Sequence, residues 1–207
     1  VTTEMRHHPG INLSHSRPED ERHAEVTVFG FWTFLMNDAI LFALLFATYA
    51  TMVNRTAGGP TGAELFDIGN AFVETLVLLL SSFSFGMGAV ALKEGREHPL
   101  KLWLGVTLVL GLGFIGLELR EFAGLIGQGA TAQTSGFLSS FYVLLSIHGL
   151  HVLVGCIWIV VMLAQVSTFG LSRQVRSRIL RLGLFWHFLD LVWIVIFTTV
   201  YLPAVAS

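Results

Sequence analysis

FLSSFYVLLSIHGLHVLVGCIWIVVMLAQ, residues 137–165, runs for 29 positions without Asp, Glu, Lys or Arg. As an α-helix it would extend about 44 Å, more than the roughly 30 Å of a bilayer's hydrocarbon core. Inside that core only a helix or a closed barrel satisfies its own backbone N–H and C=O groups, and an uninterrupted run of this length reads as a helix. Four further apolar runs, at 29–53, 70–92, 101–123 and 180–203, are long enough to do the same. The whole chain has the matching composition: 207 residues, 54% hydrophobic and 13% charged, with a mean hydropathy of +0.71. The expected fold is an all-α polytopic membrane bundle of five transmembrane helices.

Basic residues set the expected orientation. Arg6, Arg17, Arg22, Lys93, Arg96, Lys101, Arg173, Arg176, Arg178 and Arg181 fall on one side of the five crossings, and only Arg55 and Arg120 on the other. This predicts a cytoplasmic N-terminus and a periplasmic C-terminus. Trp32, Trp103, Trp158 and Trp186 lie near the cytoplasmic span ends, and Tyr49, Tyr142 and Tyr201 near the outer ends, as interfacial anchors would. Trp193 sits deeper. Residues 1–28, with His7, His8, His15, His23 and the acidic PEDE at 18–21, read as a polar cytoplasmic tail, and 29–207 as the membrane domain. No apolar stretch precedes the first span, which is therefore expected to act as its own insertion signal. The net charge of −2 gives no footing for nucleic acid. The loops are too short for a catalytic domain, so function is expected in or through the membrane. Cys156, the single cysteine, reads as a small buried residue. SSFSFGMGA (81–89) and GLGFIG (111–116) supply the small side chains that let membrane helices approach.

Seven ionisable groups fall inside the spans: Asp38, Glu74, Glu118, His148, His151, His187 and Asp190. Each costs roughly 2.5–3.5 kcal/mol at a helix centre on insertion scales, so each is expected to face protein or water. Depth counting places Asp38, His151, His187 and Asp190 in one slab of the inner half, and Glu74 and Glu118 in an outer acidic layer with Arg120 and Glu121 nearby. His148 with His151, and His187 with Asp190, stand three apart and so share a helix face. Three readings of this set remain open. A metal site would use the histidines and carboxylates as ligands, but HxxH plus HxxD lacks the paired Glu-x-x-His of di-iron bundles, and no HExxH occurs. A buried polar belt of Asp38, His148, His151, His187 and Asp190 would hydrogen-bond helix to helix. A proton path would use the same material.

GFWTFLMNDAILFALLFATYA (30–50), VETLVLLLSSFSFGMGAVAL (73–92), SGFLSSFYVLLSIHGLHVLVG (135–155) and LFWHFLDLVWIVIFTTVYL (184–202) together resemble subunit III of haem–copper respiratory oxidases. The resemblance covers nearly all of the chain from Phe29 onward, and HGLHV with WHFLDLVW in consecutive spans is its most specific part. The NRTAGGPTG loop and the five-span length resemble the cytochrome o-type ubiquinol oxidase branch, whereas seven-span relatives carry two further N-terminal helices. Asp38 stands where the cytochrome c oxidase branch usually has a glutamate. His148, His151, His187 and Asp190 match the family's HGLHV and WHFxDxVW motifs.

The resemblance implies a noncatalytic subunit of a proton-pumping ubiquinol oxidase in a bacterial inner membrane. Such a subunit has no catalytic, cofactor-binding or metal-binding residue of its own; haem and copper belong to the partner subunit I, where ubiquinol's electrons reduce oxygen. It packs on subunit I, holds phospholipid and supports assembly and proton uptake. The alternatives carried by the residues alone are an independent intramembrane His/carboxylate metalloenzyme and a small channel or transporter.

Overall fold

The computed structural model describes the backbone of residues 18–59 and 61–206 and the side chains of 29–59, 61–62 and 65–204. The regular structure of the described residues is all helical, with no strand among them: α1 (Pro18–Met52), a single turn α2 (Gly62–Leu65), α3 (Ile68–Lys93), α4 (Glu97–Gly127), α5 (Gly136–Phe169), α6 (Arg173–Ile196), a π-helical segment (Phe197–Tyr201) and α7 (Leu202–Ala206). Five helical stretches are long and apolar enough to cross a membrane: Phe29–Met52, Ile68–Lys93, Glu97–Gly127, Gly136–Phe169 and Arg173–Ala204. These are the five runs expected from hydropathy. The first seventeen residues, with His7, His8 and His15, lie outside the described residues, as does the side chain of His23.

α1 begins at Pro18, inside the stretch expected to be a tail. Proline suits the first helical position because its missing N–H would be unpaired there anyway, and the acidic residues that follow suit the positive end of the helix dipole. The described residues divide into two compact units, one up to Ala39 and one from Ile40 onward. In the first, the Phe31 and Phe34 rings lie 6.0 Å apart on the helix, and Leu35 and Asp38 are its buried positions.

The second unit is built on four helices. Turns of three residues, Glu94–Arg96 and Gly170–Ser172, join α3 to α4 and α5 to α6, and residues 128–135 join α4 to α5. Short connections fold successive helices back antiparallel. α3 packs on α4, α4 on α5, α5 on α6, and α6 returns to α3, closing a ring. Asp67 caps α3 by accepting from Gly69 N at 2.8 Å, and Ser135 and Ser172 cap α5 and α6 in the same way. At one end the two basic turns meet: Glu97 Oε1 accepts from Leu171 N at 3.3 Å. The last turns of α1 lie against the ring through Phe42 and Tyr49, whose ring centroids are 5.3 Å from His151 and 6.1 Å from Phe137. At the end opposite the basic turns, Phe66 stacks on Phe141 at 4.6 Å.

The ring closes around Trp186, which is 1% exposed. A Cβ on Gly111 would come within 2.7 Å of its Cη2, and one on Gly155 within 2.9 Å of its Cζ3. α4 and α5 thus each present bare backbone to the indole. Gly183 of α6 does the same for Phe85 of α3, at 2.7 Å. Cys156 is buried and unpaired beside Gly111.

Two aromatic expectations are corrected here. Trp186 is not an interfacial anchor, because it is 1% exposed, its indole enclosed against Gly111 and Gly155 rather than turned toward a bilayer surface. Tyr201 is fully buried rather than interfacial. The helix continues past it to Ala206 through a π-helical segment at 197–201, a rare form, and its hydroxyl is held by Glu121 at 2.9 Å.

Enlarging Gly155 to Leu is expected to destabilise the chain by about 1–3 kcal/mol or more through overpacking against Trp186. Gly86→Ala, where a Cβ meets nothing within 4 Å, should leave stability unchanged or slightly improved. Thermal unfolding of the detergent-solubilised protein compares the two.

Candidate functional site

A polar seam joins α6 to α3. Trp186 Nε1 donates to Ser81 Oγ at 3.1 Å, and Trp193 Nε1 donates to Thr75 Oγ1 at 3.0 Å. Each hydroxyl in turn donates to its own helix, Ser81 to Leu78 O at 2.7 Å and Thr75 to Ala71 O at 2.8 Å. The hydroxyls therefore accept across the interface and donate along it, so no donor is stranded in hydrocarbon. His187 Nδ1 and Ser82 Oγ share a third bond of 2.9 Å. Ser84 and Thr107 add one between α3 and α4, at 2.7 Å. In the sequence Ser81, Ser82 and Ser84 stood out only as small residues of SSFSFGMGA (81–89), and Thr75 and Thr107 not at all. The available signal was a similar spacing of about two turns: Thr75 and Ser81 are six apart, and their partners Trp193 and Trp186 seven.

The motif residues divide by environment. His148 is at the centre of the ring with no exposure at all. Phe114 meets it edge-on at 5.7 Å and Trp193 lies tilted over it at 5.4 Å. Neither of its ring nitrogens has a hydrogen-bond partner among the described residues. His151 is half-buried between Phe42 and Phe185, and its Nδ1 lies 2.7 Å from Ile147 O. A carbonyl can only accept, so that nitrogen carries the hydrogen. Asp38 is buried on α1. Asp190 is also buried, and its Oδ2 stands 3.5 Å from His187 Nδ1.

His187 differs from its expected interior position: its side chain is 47% exposed. The reason is rotational. Trp186, Leu189 and Trp193 take the face of α6 that enters the ring, and the residue after Trp186 is turned about 100° away from it.

The outer acidic residues converge at a different level. A cavity of about 320 Å³ opens between α3 and α4 at the end away from the basic turns, with Asp67, Asn70, Glu74, Arg120, Glu121 and Gln128 in its wall. Tyr201 Oη donates to Glu121 Oε2 at 2.9 Å. Behind Glu74 and Glu121, Glu118 presses on Gly149, the glycine between the two motif histidines. A Cβ at 149 would collide with the Glu118 carboxylate, lying 2.9 Å from its Cδ. Glu74 Oε2 and Glu118 Oε1 are buried and have no hydrogen-bond partner among the described residues. Among the described residues, no three His, Cys, Asp or Glu side chains gather as a metal's ligand set would.

Residues 21–205 match the protein family described as cytochrome c oxidase subunit III. The chain belongs to that family. Among its relatives, the cytochrome bo(3) ubiquinol oxidase subunit 3 of Pseudomonas aeruginosa is 50% identical over 176 residues, covering 85% of this chain and 84% of the relative. The quinol oxidase subunit 3 of Bacillus subtilis is 44% identical over 177 residues, covering 86% and 87%. The cytochrome c oxidase subunit 3 of Bacillus sp. strain PS3 is 40% identical over 173 residues, covering 84% of each. As a subunit III with five spanning helices, the chain is a multi-pass membrane protein. The HGLHV and WHFLDLVW stretches that carried the resemblance form the two faces packed together at the ring's centre. Their histidines do not converge: His148 is inside, His187 outside.

Asp190 makes a single 3.5 Å contact and no hydrogen bond among the described residues. Asp190→Leu is therefore expected to cost no more than about 1–2 kcal/mol, within the range of polar contacts between membrane helices. Unfolding in a mixed-micelle denaturant titration measures it; a larger loss would mean that Asp190 holds more than the structure gives it.

Proposed function

We propose that this chain is the noncatalytic third subunit of a proton-pumping terminal ubiquinol oxidase, seated on subunit I in a bacterial inner membrane. The observation that carries the reading is the 50% identity, over most of both chains, to a protein named as a ubiquinol oxidase subunit 3. Five quinol-named relatives stand at 44–50%, whereas a cytochrome c-named relative at 40% falls among more distant ones that include quinol-named proteins at 39%; the higher group favours quinol as the complex's electron donor.

In this reading the chemistry lies with haem and copper in subunit I, and this chain contributes a stiff helical block. Its own residues support that role. The hydroxyl–indole bonds fix α6 against α3 in one register, and the glycine-walled slot for Trp186 fixes α4 and α5 around them. Supporting assembly, holding phospholipid and assisting proton uptake are the tasks such a block would serve. Ten of twelve basic residues on one side favour a cytoplasmic N-terminus and a periplasmic C-terminus. The polar belt of Asp38, His148, His151, His187 and Asp190 is part of the proposal. His148 would fill the inside of the ring by packing against Phe114 and Trp193, Asp190 would lie buried beside His187, and half-exposed His187 would stand toward whatever covers α6. Glu74 and Glu118 make the separate outer layer.

Purification through a tag on this chain, followed by an optical spectrum and metal analysis, tests the reading. The expected product is a multi-subunit complex with haem absorbance and quinol-driven oxygen consumption, from which this chain, once dissociated, carries no stoichiometric metal. A chain that purifies alone without haem, or that retains an equivalent of iron or zinc by itself, would refute the proposal.

A further inference from the structure

The cavity between α3 and α4 has a feature that helix packing does not require. Glu74 lines it, is 1% exposed, and has a carboxylate oxygen with no hydrogen-bond partner among the described residues. Its neighbours are compensated. Glu121 accepts from the Tyr201 hydroxyl, and Asp67 at the mouth accepts from Gly69 N. Glu74 lies six residues into α3, about 9 Å from the helix start, and the cavity of about 320 Å³ has room for several water molecules. Water thus has a route from the bundle end to a carboxylate that protein donors leave unsatisfied.

The groups facing Glu74 come from every element packed around it. α4 brings Glu118, Arg120 and Glu121, the residue before α3 brings Asp67, and the π-helical segment brings Tyr201. α6 contributes Trp193, bonded to the adjacent Thr75. α5 contributes Gly149, against which Glu118 is pressed, next to His148. An ionised Glu74 would thus meet further carboxylates with one guanidinium and one hydroxyl to offset them. Uptake of a proton removes that repulsion and converts the stranded oxygen into a donor.

We propose that this cavity is a proton-binding site open to the aqueous phase at the bundle end away from the basic turns, with Glu74 as the residue that takes up the proton. In the binding step, a hydronium ion reaching the cavity through its water loses one O–H bond and becomes water, an O–H bond forms on the Glu74 carboxylate, and the charge of the site becomes less negative by one; no electrons are transferred. Glu118, one layer deeper and also lacking a partner on one oxygen, is a second acceptor behind it. The site requires only the membrane setting and not the oxidase assignment.

Infrared difference spectroscopy of the assembly purified through this chain tests it, during pH titration and after transfer to D₂O. Wild type is expected to show a protonated-carboxyl C=O band that grows as pH falls and shifts promptly in D₂O. The band should vanish in Glu74→Gln and persist, displaced, in Glu74→Asp. In Asn70→Trp, which plugs the cavity and keeps Glu74, the D₂O shift should be slowed; this variant decides the matter even if Glu74→Gln does not assemble. A band set unchanged in Glu74→Gln, a band lost only in Glu118→Gln, or exchange in Asn70→Trp as fast as in wild type would each overturn the proposal.

Discussion

Four helices can surround the indole of Trp186 only because two of them present no side chain to it. In water a buried tryptophan would be held chiefly by the hydrophobic effect, but lipid tails are as apolar as the ring's interior and offer no such drive. What remains is contact: close fit against the backbone at Gly111 and Gly155 and an N–H that reaches Ser81. The fit fixes the separation of α4, α5 and α6, and the hydrogen bonds fix the register of α6 on α3. His148 then has a defined place against Trp193, one layer away, and Glu118 has one against Gly149.

Glycines and polar residues in this chain are therefore two halves of one device. Gly149 lies between His148 and His151 and gives Glu118 its room; without that glycine the HGLH motif and the acidic layer would exclude each other. The same residue lets a buried carboxylate on α4 lie against the position next to a fully enclosed imidazole on α5. Cooperation between a small residue and a large polar one is cheap in a membrane, where cross-helix polar contacts contribute little individually but a stranded group is costly. The indole–hydroxyl bonds meet that constraint by letting each hydroxyl satisfy its own helix as well.

The five spans were legible because hydropathy alone identifies a helix that must cross a bilayer, and the WHFLDLVW and HGLHV stretches were specific enough to point to the family. Other features depended on what a linear reading does not hold. Trp186 and Tyr201 were read as anchors by distance from the ends of apolar runs, while both are enclosed by neighbouring helices, which only the packing of the last span reveals. Depth counting grouped Glu74 and Glu118 with Arg120 and Glu121, but Asn70 and Gln128 join Glu74 in the cavity wall only through the pairing of α3 with α4. The exposure of His187 depends on which face of α6 the ring uses, and depth alone says nothing about rotation.

A packing-dominated core is the central claim, and substitutions at Trp186 address it most directly. Unfolding free energies of Trp186→Phe and Trp186→Ala, measured in the purified protein beside Ser81→Ala, separate the indole's hydrogen bond from its volume. The expectation is a loss of about 0.6 kcal/mol in the Trp186–Ser81 coupling from a double-mutant cycle, against about 3–5 kcal/mol for Trp186→Ala. A Phe variant as damaging as the Ala variant, with a coupling that accounts for most of the loss, would contradict a core held by fit.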